Sequence, residues 1–145
     1  MLIIKKTNDL KPQELVAIFQ ARTQVFVVEQ NCPYQEVDND DYNDIHVFLM
    51  KNNELQAYTR IIQKPDYITF GRVLVVKKFR KQGLGKQIVQ ATLDVIQQKY
   101  PNEPIQIEAQ AYLKKFYEGL GFKSTSDVYL IDNIPHRNMK YIGSN

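Results

Sequence analysis

The sequence predicts an α+β fold with a mixed, mostly antiparallel sheet of six to seven strands and helices on both faces. Three runs with strand character, 45–50, 55–63 and 67–76, are separated by short turns and indicate an antiparallel meander. The third run is followed by an amphipathic helical pattern over 84–100 and by an alternating strand at 105–109. This order predicts a parallel β-α-β crossover of the usual right hand.

The N-terminal third adds a strand, a helix and a long connection. Residues 2–6 predict a short first strand, and Pro12 suits the first position of a helix that gives way near Glu29. Residues 31–44 then form a polar connection, and connections of this length are often functional.

The C-terminal part adds a short helix and a hairpin. Apolar residues outline a helix over 113–120, which Gly121 closes at the C′ position. Residues 126–131 and 136–142 predict a final hairpin across a turn at 132–135.

Composition indicates one globular domain spanning residues 1–145, with 43% hydrophobic and 24% charged residues. No apolar run approaches the ~18 residues of a membrane span, and the N-terminus lacks the order of a signal peptide. The single cysteine, Cys32, cannot form an internal disulfide, which favours a reducing cytoplasm. Outside 77–86 the basic residues are scattered, which disfavours nucleic acid as a partner. We therefore expect a cytoplasmic protein that binds no nucleic acid, membrane or metal.

Five acidic residues fall within nine positions, with no basic residue among them. They are Glu36, Asp38, Asp40, Asp41 and Asp44. Such a run is typical of a solvated loop, and it would also suit the steering of a cationic ligand. Arg22 lies on the apolar face of the first predicted helix, and we interpret it as a structural residue that snorkels or pairs with an acid.

The segment 71–86 predicts an anion site. An apolar run at 73–76 passes through a basic loop into a helix that begins near Leu84. Backbone N–H groups in the first turn of a helix have no partner within it, and the helix dipole favours negative charge there. Gly83 and Gly85 lack a Cβ, so a phosphate can approach the backbone closely. The segment therefore suits a pyrophosphate.

The spacing of the glycines discriminates between phosphate-binding loops. A Walker A loop and a dinucleotide fingerprint both fail, since Arg80 and Ile88 stand where glycines belong. The pattern Arg80-x-x-Gly83-x-Gly85 instead resembles the Arg/Gln-x-x-Gly-x-Gly/Ala loop of the GNAT acyltransferases, which wraps the pyrophosphate of acetyl-CoA. The resemblance implies that acetyl-CoA, the acyl donor, is bound by Leu74, Val75, Val76, Arg80, Lys81, Gln82, Gly83, Leu84, Gly85, Lys86 and Gln110.

A second motif carries the same resemblance. Phe116-Tyr117-x-x-x-Gly121-Phe122 resembles the GNAT segment Phe-Tyr-x-x-x-Gly-Phe, whose helix lies against the pantetheine arm and whose tyrosine stands near the thioester sulfur. The resemblance implies that Tyr117 is the catalytic acid that protonates the departing thiolate. Many members place Asn seven residues before this tyrosine, where this chain has Gln110, an amide that can also donate and accept.

The order of strands and helices extends the resemblance over the whole chain and implies the GNAT fold, in which strands four and five splay to admit the cofactor. Residues 25–34 with the acidic run, 108–111 and 134–136 are similar to the ElaA-type branch of this family. The resemblance further implies that a bulge in the fourth strand frees a backbone N–H near Leu74 or Val75 as the oxyanion donor.

The sequence leaves the general base open. An attacking amine must lose a proton, and a histidine or a carboxylate can accept it. The candidates are Glu36, Asp38, His46, Glu108 and His136. Members of the family that use a carboxylate on the fourth strand have no counterpart within 67–76.

The resemblance implies an N-acetyltransferase that moves the acetyl group of acetyl-CoA to a primary amine by direct transfer in a ternary complex. A non-catalytic acyl-CoA-binding or sensor module of the same fold is the alternative. A third hypothesis is an α+β interaction protein whose glycine loop is only a turn. The expected partners are acetyl-CoA and an amine-bearing acceptor, with the chain acting as a monomer or homodimer. The acceptor and the range of acyl chains stay open.

Overall fold

The computed structural model describes residues 1–143, which form eight β-strands and three α-helices. The strands are β1 (Leu2–Lys6), β2 (Ile45–Lys51), β3 (Glu54–Gln63), β4 (Ile68–Val75), β5 (Gln106–Gln110), β6 (Phe122–Ser124), β7 (Tyr129–Ile131) and β8 (Ile134–Tyr141). The α-helices are α1 (Pro12–Arg22), α2 (Leu84–Lys99) and α3 (Lys114–Glu118). A π-helical stretch, Thr23–Glu29, continues α1, and 3-10 turns cover Thr7–Asp9, Asn39–Tyr42, Lys77–Phe79 and Ala111–Leu113.

The strands form two sheets. In the first, β1, β2, β3 and β4 lie in chain order, and every neighbouring pair is antiparallel. In the second, β8 lies between β5 and β6 and also pairs with β7, again antiparallel. One parallel bridge, between Ile68 and Ile105, connects β4 to the start of the second sheet. The predicted antiparallel meander is therefore confirmed.

Helices cover both faces of the first sheet. Ile18 and Phe26 pack with Phe48 and Tyr58 on one face, which places α1 and its continuation there. On the other face, α2 buries Ile88, Thr92 and Ile96 at a spacing of four residues, so one stripe of the helix faces the sheet. Thr92 Oγ1 lies 2.6 Å from Thr59 Oγ1 of β3, which satisfies both buried hydroxyls. No helix within residues 1–143 is long and apolar enough to cross a membrane.

The C-terminal prediction needs correction at three points. Eight strands stand where six to seven were expected, because β6 has three residues, too few to show an alternating pattern. The last hairpin turns at Asp132 and Asn133 alone, with φ of 48° and 65°, so Ile134 and Pro135 belong to β8. The helix before Gly121 ends at Glu118. Gly121 instead has φ +99°, and a Cβ there would lie 2.8 Å from the carbonyl oxygen of Gly143.

Candidate active site

A cavity of about 810 Å³ opens where the two sheets part. Its wall includes Leu74 and Val75 of β4, Gln110 at the end of β5, and Tyr117 of α3. Within the described residues β4 and β5 share no pairing beyond the bridge at Ile68, so no ladder of backbone hydrogen bonds joins them beside the cavity. Cavities of this size commonly hold small-molecule ligands.

The loop from β4 to α2 presents a row of backbone donors beside this cavity. The N–H groups of residues 81–86 have no backbone acceptor within residues 1–143, whereas the N–H of Gln87 donates to the carbonyl of Gly83 at 3.2 Å. Gly83 is the N-cap of α2 and provides no side-chain cap. Six consecutive free donors at a helix N-terminus are suited to bind an anion.

The conformation of the loop explains its glycine at position 83. Lys81 and Gly83 both have positive φ, 67° and 77°, and a Cβ at Gly83 would meet no protein atom within 4 Å. The φ of this position favours glycine, because a residue with a Cβ would be strained there, and the space beside it is open. At Gly85 a Cβ would lie 3.9 Å from Phe116 and Val75, an ordinary contact, so the fold itself does not exclude a side chain.

Arg80 lies on the cavity wall and is held by two contacts. Its Nε donates to the carbonyl of Val75 at 2.9 Å, and its Nη2 donates to Glu29 Oε1 at 2.7 Å. The guanidinium is 38% exposed, so this ion pair contributes little to stability. Glu29 was not among the residues that the sequence indicated.

The structure brings together half of the residues predicted for cofactor and catalysis. Leu74, Val75, Arg80, Gly85, Gln110 and Tyr117 all line the cavity. Lys81, Gln82, Gly83, Leu84 and Lys86 belong to the same loop and helix start but do not line the cavity. The N–H of Val76 donates to the carbonyl of Gln56 at 2.9 Å and is therefore occupied.

Tyr117 is buried, with 4% of its surface exposed, and packs edge-on against Phe116 and Phe122. Burial raises the pKa of its hydroxyl above the usual value, and the nearby Tyr112 raises it further. A phenol in this environment keeps its proton at neutral pH. Its hydroxyl makes no hydrogen bond with another described residue, which leaves it able to donate to a ligand.

A bulge interrupts β4 at Arg72. Tyr58 pairs with Leu74 and Arg60 pairs with Gly71, so Arg72 and Val73 together face the single residue Thr59 of β3. Arg72 has φ +52°, a left-handed conformation that is strained for a residue with a Cβ. The family resemblance predicted a bulge near Leu74, and the irregularity lies immediately before it.

Contacts from the acidic segment hold the side chain of Arg72 in place. Its Nε donates to Glu36 Oε1 at 2.9 Å, its Nη2 donates to the carbonyl of Glu36 at 3.1 Å, and its guanidinium lies over the ring of Tyr34. The hydroxyl of Tyr34 donates to Glu36 Oε2. The same Glu36 carboxylate accepts from Nε of the fully buried Arg22 at 2.7 Å. Glu36 therefore joins α1 to the bulge of β4.

A second guanidinium binds the rest of the acidic segment. Arg60 of β3 makes a bidentate pair with Asp38 at 2.7 and 2.8 Å, and its Nη1 lies 3.1 Å from Asp41. Asp41 in turn makes a bidentate pair with Arg22 at 2.6 and 2.9 Å. Burial would raise the pKa of Asp41, but the hydrogen bonds from Arg22 lower it to about 2.

The expectation of a solvated acidic loop is therefore wrong for four of the five carboxylates. Asp40 is half-buried and lines the cavity, and the steering of a cationic ligand stays a prediction. Glu36, Asp41 and Asp44 are buried, with 5%, 4% and 2% exposed, and Asp38 is paired with Arg60. Arg22 has the structural role predicted for it. The partners come from α1, β3 and β4, so nothing local in the sequence indicated that this run of acids folds inward.

The structure separates the five candidate bases. His46 is fully buried away from the cavity, between the hydroxyls of Thr7 and Tyr58 at 2.8 and 2.6 Å, and burial lowers its pKa to about 4. Glu36 and Asp38 are occupied by arginines. Glu108 and His136 line the cavity. Within residues 1–143 no group of His, Cys, Asp and Glu side chains is arranged to hold a metal ion.

The cavity wall also contains residues that the sequence did not indicate. They include Glu29, Tyr34, Arg60, Arg72 and Asp132. The Asp132-Asn133 pair is a turn signal that could have located one of them, whereas the arginines had no motif around them.

The chain matches the family described as acetyltransferase (GNAT) domain over residues 6–142. Protein ElaA of Escherichia coli (strain K12) is 40% identical over 137 residues, which are 91% of this chain and 90% of that protein. A crystal structure of E. coli ElaA superposes with a TM-score of 0.93 at 38% identity, covering 97% of this chain and 99% of that chain. A crystal structure of an acyl-CoA N-acyltransferase from Pseudomonas aeruginosa gives a TM-score of 0.93 at 37% identity, covering 97% and 98%. The chain thus belongs to the GNAT acetyltransferase family, and among its members it is similar to the ElaA proteins.

Proposed function

We propose that this chain is an acetyl-CoA-dependent N-acetyltransferase that transfers the acetyl group directly to a primary amine within a ternary complex. The observation that carries the proposal is the row of six free N–H groups at residues 81–86. Arg80 and Gly85 of this loop line a cavity whose wall also includes a protonated tyrosine, Tyr117. An anion site and an acid beside the same cavity suit acetyl-CoA, an acyl donor whose pyrophosphate and thioester lie far apart in the molecule.

The cofactor would lie with its pyrophosphate on the loop and its pantetheine arm between β4 and β5. Within the described residues the two strands share no pairing beyond the parallel Ile68–Ile105 bridge, which supports a splay between them. Gln110 at the end of β5 offers an amide that can both donate to and accept from the pantetheine amides.

Transfer needs an oxyanion donor and an acid in addition to a base. The bulge puts Arg72 and Val73 of β4 opposite one residue of β3, and a backbone N–H in this bulge is the proposed donor to the carbonyl oxygen. As the C–S bond breaks, Tyr117 gives its proton to the leaving sulfur. Its raised pKa keeps the proton available until a thiolate forms.

Calorimetry with CoA tests the loop. We expect Gly83→Asp to weaken CoA binding strongly, because it adds a Cβ at φ +77° and a negative charge facing the phosphates. Gly143→Asp is the matched control, since Gly143 also has a positive φ, +96°, and open space around it. Equal CoA affinity in a folded Gly83→Asp variant and the control would contradict the loop assignment.

An amine panel tests the reaction. Release of the CoA thiol is measured with a small polyamine, an aminoglycoside, amino acids, and peptides with a free N-terminus or lysine. Amine-dependent release supports the enzyme. Binding of CoA without release across the whole panel would favour the non-catalytic binding module instead.

A further inference from the structure

Two polar side chains of the second sheet share one wall of the cavity. In the pairing of β5 with β8, Gln110 faces His136 and Glu108 faces Asn138. Paired residues of an antiparallel ladder point to the same face, as do residues two apart along one strand. Glu108 and His136 are therefore diagonal neighbours on the face that lines the cavity, with Cα atoms roughly 7–8 Å apart. An acceptor bound at this wall of the cavity can therefore contact both side chains.

The ring of His136 is held by its own strand. Nδ1 lies 2.7 Å from the carbonyl oxygen of Ile134, which can only accept, so Nδ1 carries the hydrogen in this contact. In the neutral ring Nε2 then has the lone pair. His136 is half-buried and lines the cavity, so this nitrogen is the one available to a ligand.

Glu108 has one side-chain neighbour that can donate to it, Tyr129 of β7. The hydroxyl of Tyr129 donates to Asn138 and lies 3.4 Å from Glu108 Oε2, a long contact that leaves the carboxylate free to accept from another donor. Burial and Glu108 together raise the pKa of Tyr129 to about 12, so this neighbour stays neutral. Within the described residues no lysine or arginine pairs with Glu108, in contrast to Glu36 and Asp38.

We propose that Glu108 binds the ammonium group of a cationic acceptor and that His136 is the general base that deprotonates it; this assignment rests on the proposed acetyltransferase function. His136 Nε2 takes one proton from the ammonium. The nitrogen lone pair then forms a bond to the thioester carbonyl carbon, the C–S bond breaks, and the sulfur receives the proton of Tyr117. The amide loses its second proton as Tyr117 is reprotonated, and His136 releases its proton to solvent. The products are the acetylated amine, CoA and one proton.

The pH dependence of kcat/KM separates this mechanism from its alternatives. In the parent the ammonium form binds and is deprotonated on the enzyme, so kcat/KM is level from neutral pH to the pKa of the amine, ~10. The test variant is His136→Asn, whose amide can still donate to the carbonyl of Ile134 but cannot act as a base. It reacts only with acceptor that is already neutral, so its kcat/KM rises tenfold per pH unit up to the amine pKa. At pH 7 we expect it to be slower by ~10²–10⁴-fold.

Glu108→Gln is the comparison variant. It removes the charge that attracts the ammonium while leaving the base, so KM for the acceptor rises and the level region of the pH profile remains. Both variants should bind CoA as the parent does in calorimetry, which shows that the donor site is intact. Imidazole added to His136→Asn should restore part of the rate.

Each other outcome overturns a defined part of the proposal. A level profile in His136→Asn removes His136 as the base, and loss of the level region in Glu108→Gln assigns that role to Glu108. A parent that binds CoA but releases no thiol with any amine overturns the proposed function, and the base assignment with it. A parent that turns over normally while His136→Asn is unchanged overturns the base assignment alone.

Discussion

Replacing Asp44 by asparagine tests how the buried acidic cluster is balanced. The Asp44 side chain is 3% exposed, and its Oδ2 lies 3.3 Å from Arg60 Nη1 without hydrogen-bond geometry. Burial raises its pKa from the ordinary 3.8 to about 7, while Arg60 lowers it and Asp41 raises it further. Three arginines meet four carboxylates here, so the cluster is neutral when Asp44 carries its proton.

The raised pKa of Asp44 determines whether its ionisation stabilises or destabilises the fold, and by how much at most. Between pH 3.8 and about 7 the folded protein holds a proton that the unfolded chain has released, so the free energy of unfolding falls as the pH rises through this interval. A tenfold change in proton affinity corresponds to ~1.4 kcal/mol, which limits the destabilisation above pH 7 to ~4 kcal/mol. Because the arginines offset part of it, we expect Asp44→Asn to be more stable than the parent by ~1–3 kcal/mol at pH 8.

His46 changes the free energy of unfolding with pH in the opposite direction to Asp44. Burial lowers its pKa from 6.5 to about 4, so between these values the unfolded chain binds a proton that the folded protein excludes. Stability from His46 therefore rises with pH in the interval where stability from Asp44 falls. The two contributions nearly cancel in the parent between pH 4.5 and 6.5. Asp44→Asn removes the Asp44 contribution, so the contribution of His46 is no longer offset. The free energy of unfolding of this variant should therefore rise by ~1.4 kcal/mol per pH unit between pH 4.5 and 6.5.

Urea unfolding followed by far-UV circular dichroism at pH 4.5, 5.5, 6.5 and 8 measures both effects. Asp66→Asn is the matched control, because Asp66 is an exposed aspartate in the turn between β3 and β4. The control should follow the parent at every pH. An Asp44→Asn variant that is less stable than the parent at pH 8, or that keeps the slope of the parent below pH 6.5, would refute the inferred charge balance.

Three further changes test the site. Tyr117→Phe should lower kcat by ~10²–10⁴-fold with unchanged melting temperature and CoA affinity, and an unchanged kcat would remove Tyr117 from the mechanism. Arg72→Gly and Arg72→Ala both lose the contacts to Glu36, but Gly tolerates φ +52° and should be more stable than Ala by ~1 kcal/mol in urea unfolding; equal stability would mean that the backbone is not strained. Arg80→Ala should weaken CoA binding by roughly fivefold in calorimetry, less at high salt, since the group is partly exposed; unchanged binding would place the pyrophosphate elsewhere.

Local signals in the sequence were sufficient for the strands of the first sheet and for α2. Asn52 and Asn53, both with positive φ, form the turn that joins β2 to β3, as the predicted hairpin at 51–54 requires. The glycine loop was predictable for the same reason. The donors that it presents belong to the backbone of residues next to each other in the chain, so spacing alone locates them.

The acidic segment could not be predicted, because its partners are distant in sequence. Arg22, Arg60 and Arg72 lie 14 to 36 residues from the carboxylates that they bind. An isolated acidic run looks the same whether it is solvated or folded onto guanidinium groups, so composition cannot distinguish the two. The base was underdetermined for a similar reason, since the alignment of Glu108 with His136 depends on the register of β5 with β8.

The backbone of Arg72 is kept in a strained conformation by side-chain contacts with residues that are distant in the sequence. A neighbouring glycine, Gly71, could adopt a left-handed backbone at low cost, yet the positive φ falls on the arginine. This arrangement persists because Glu36 and Tyr34 hold the side chain, and Glu36 is itself fixed by the buried Arg22. Strain of this kind is kept where surrounding contacts determine it, and it is concentrated at functional sites. The ion-pair cluster therefore has a consequence beyond stability: it fixes the bulge of β4 beside the cavity, where the proposed oxyanion donor lies.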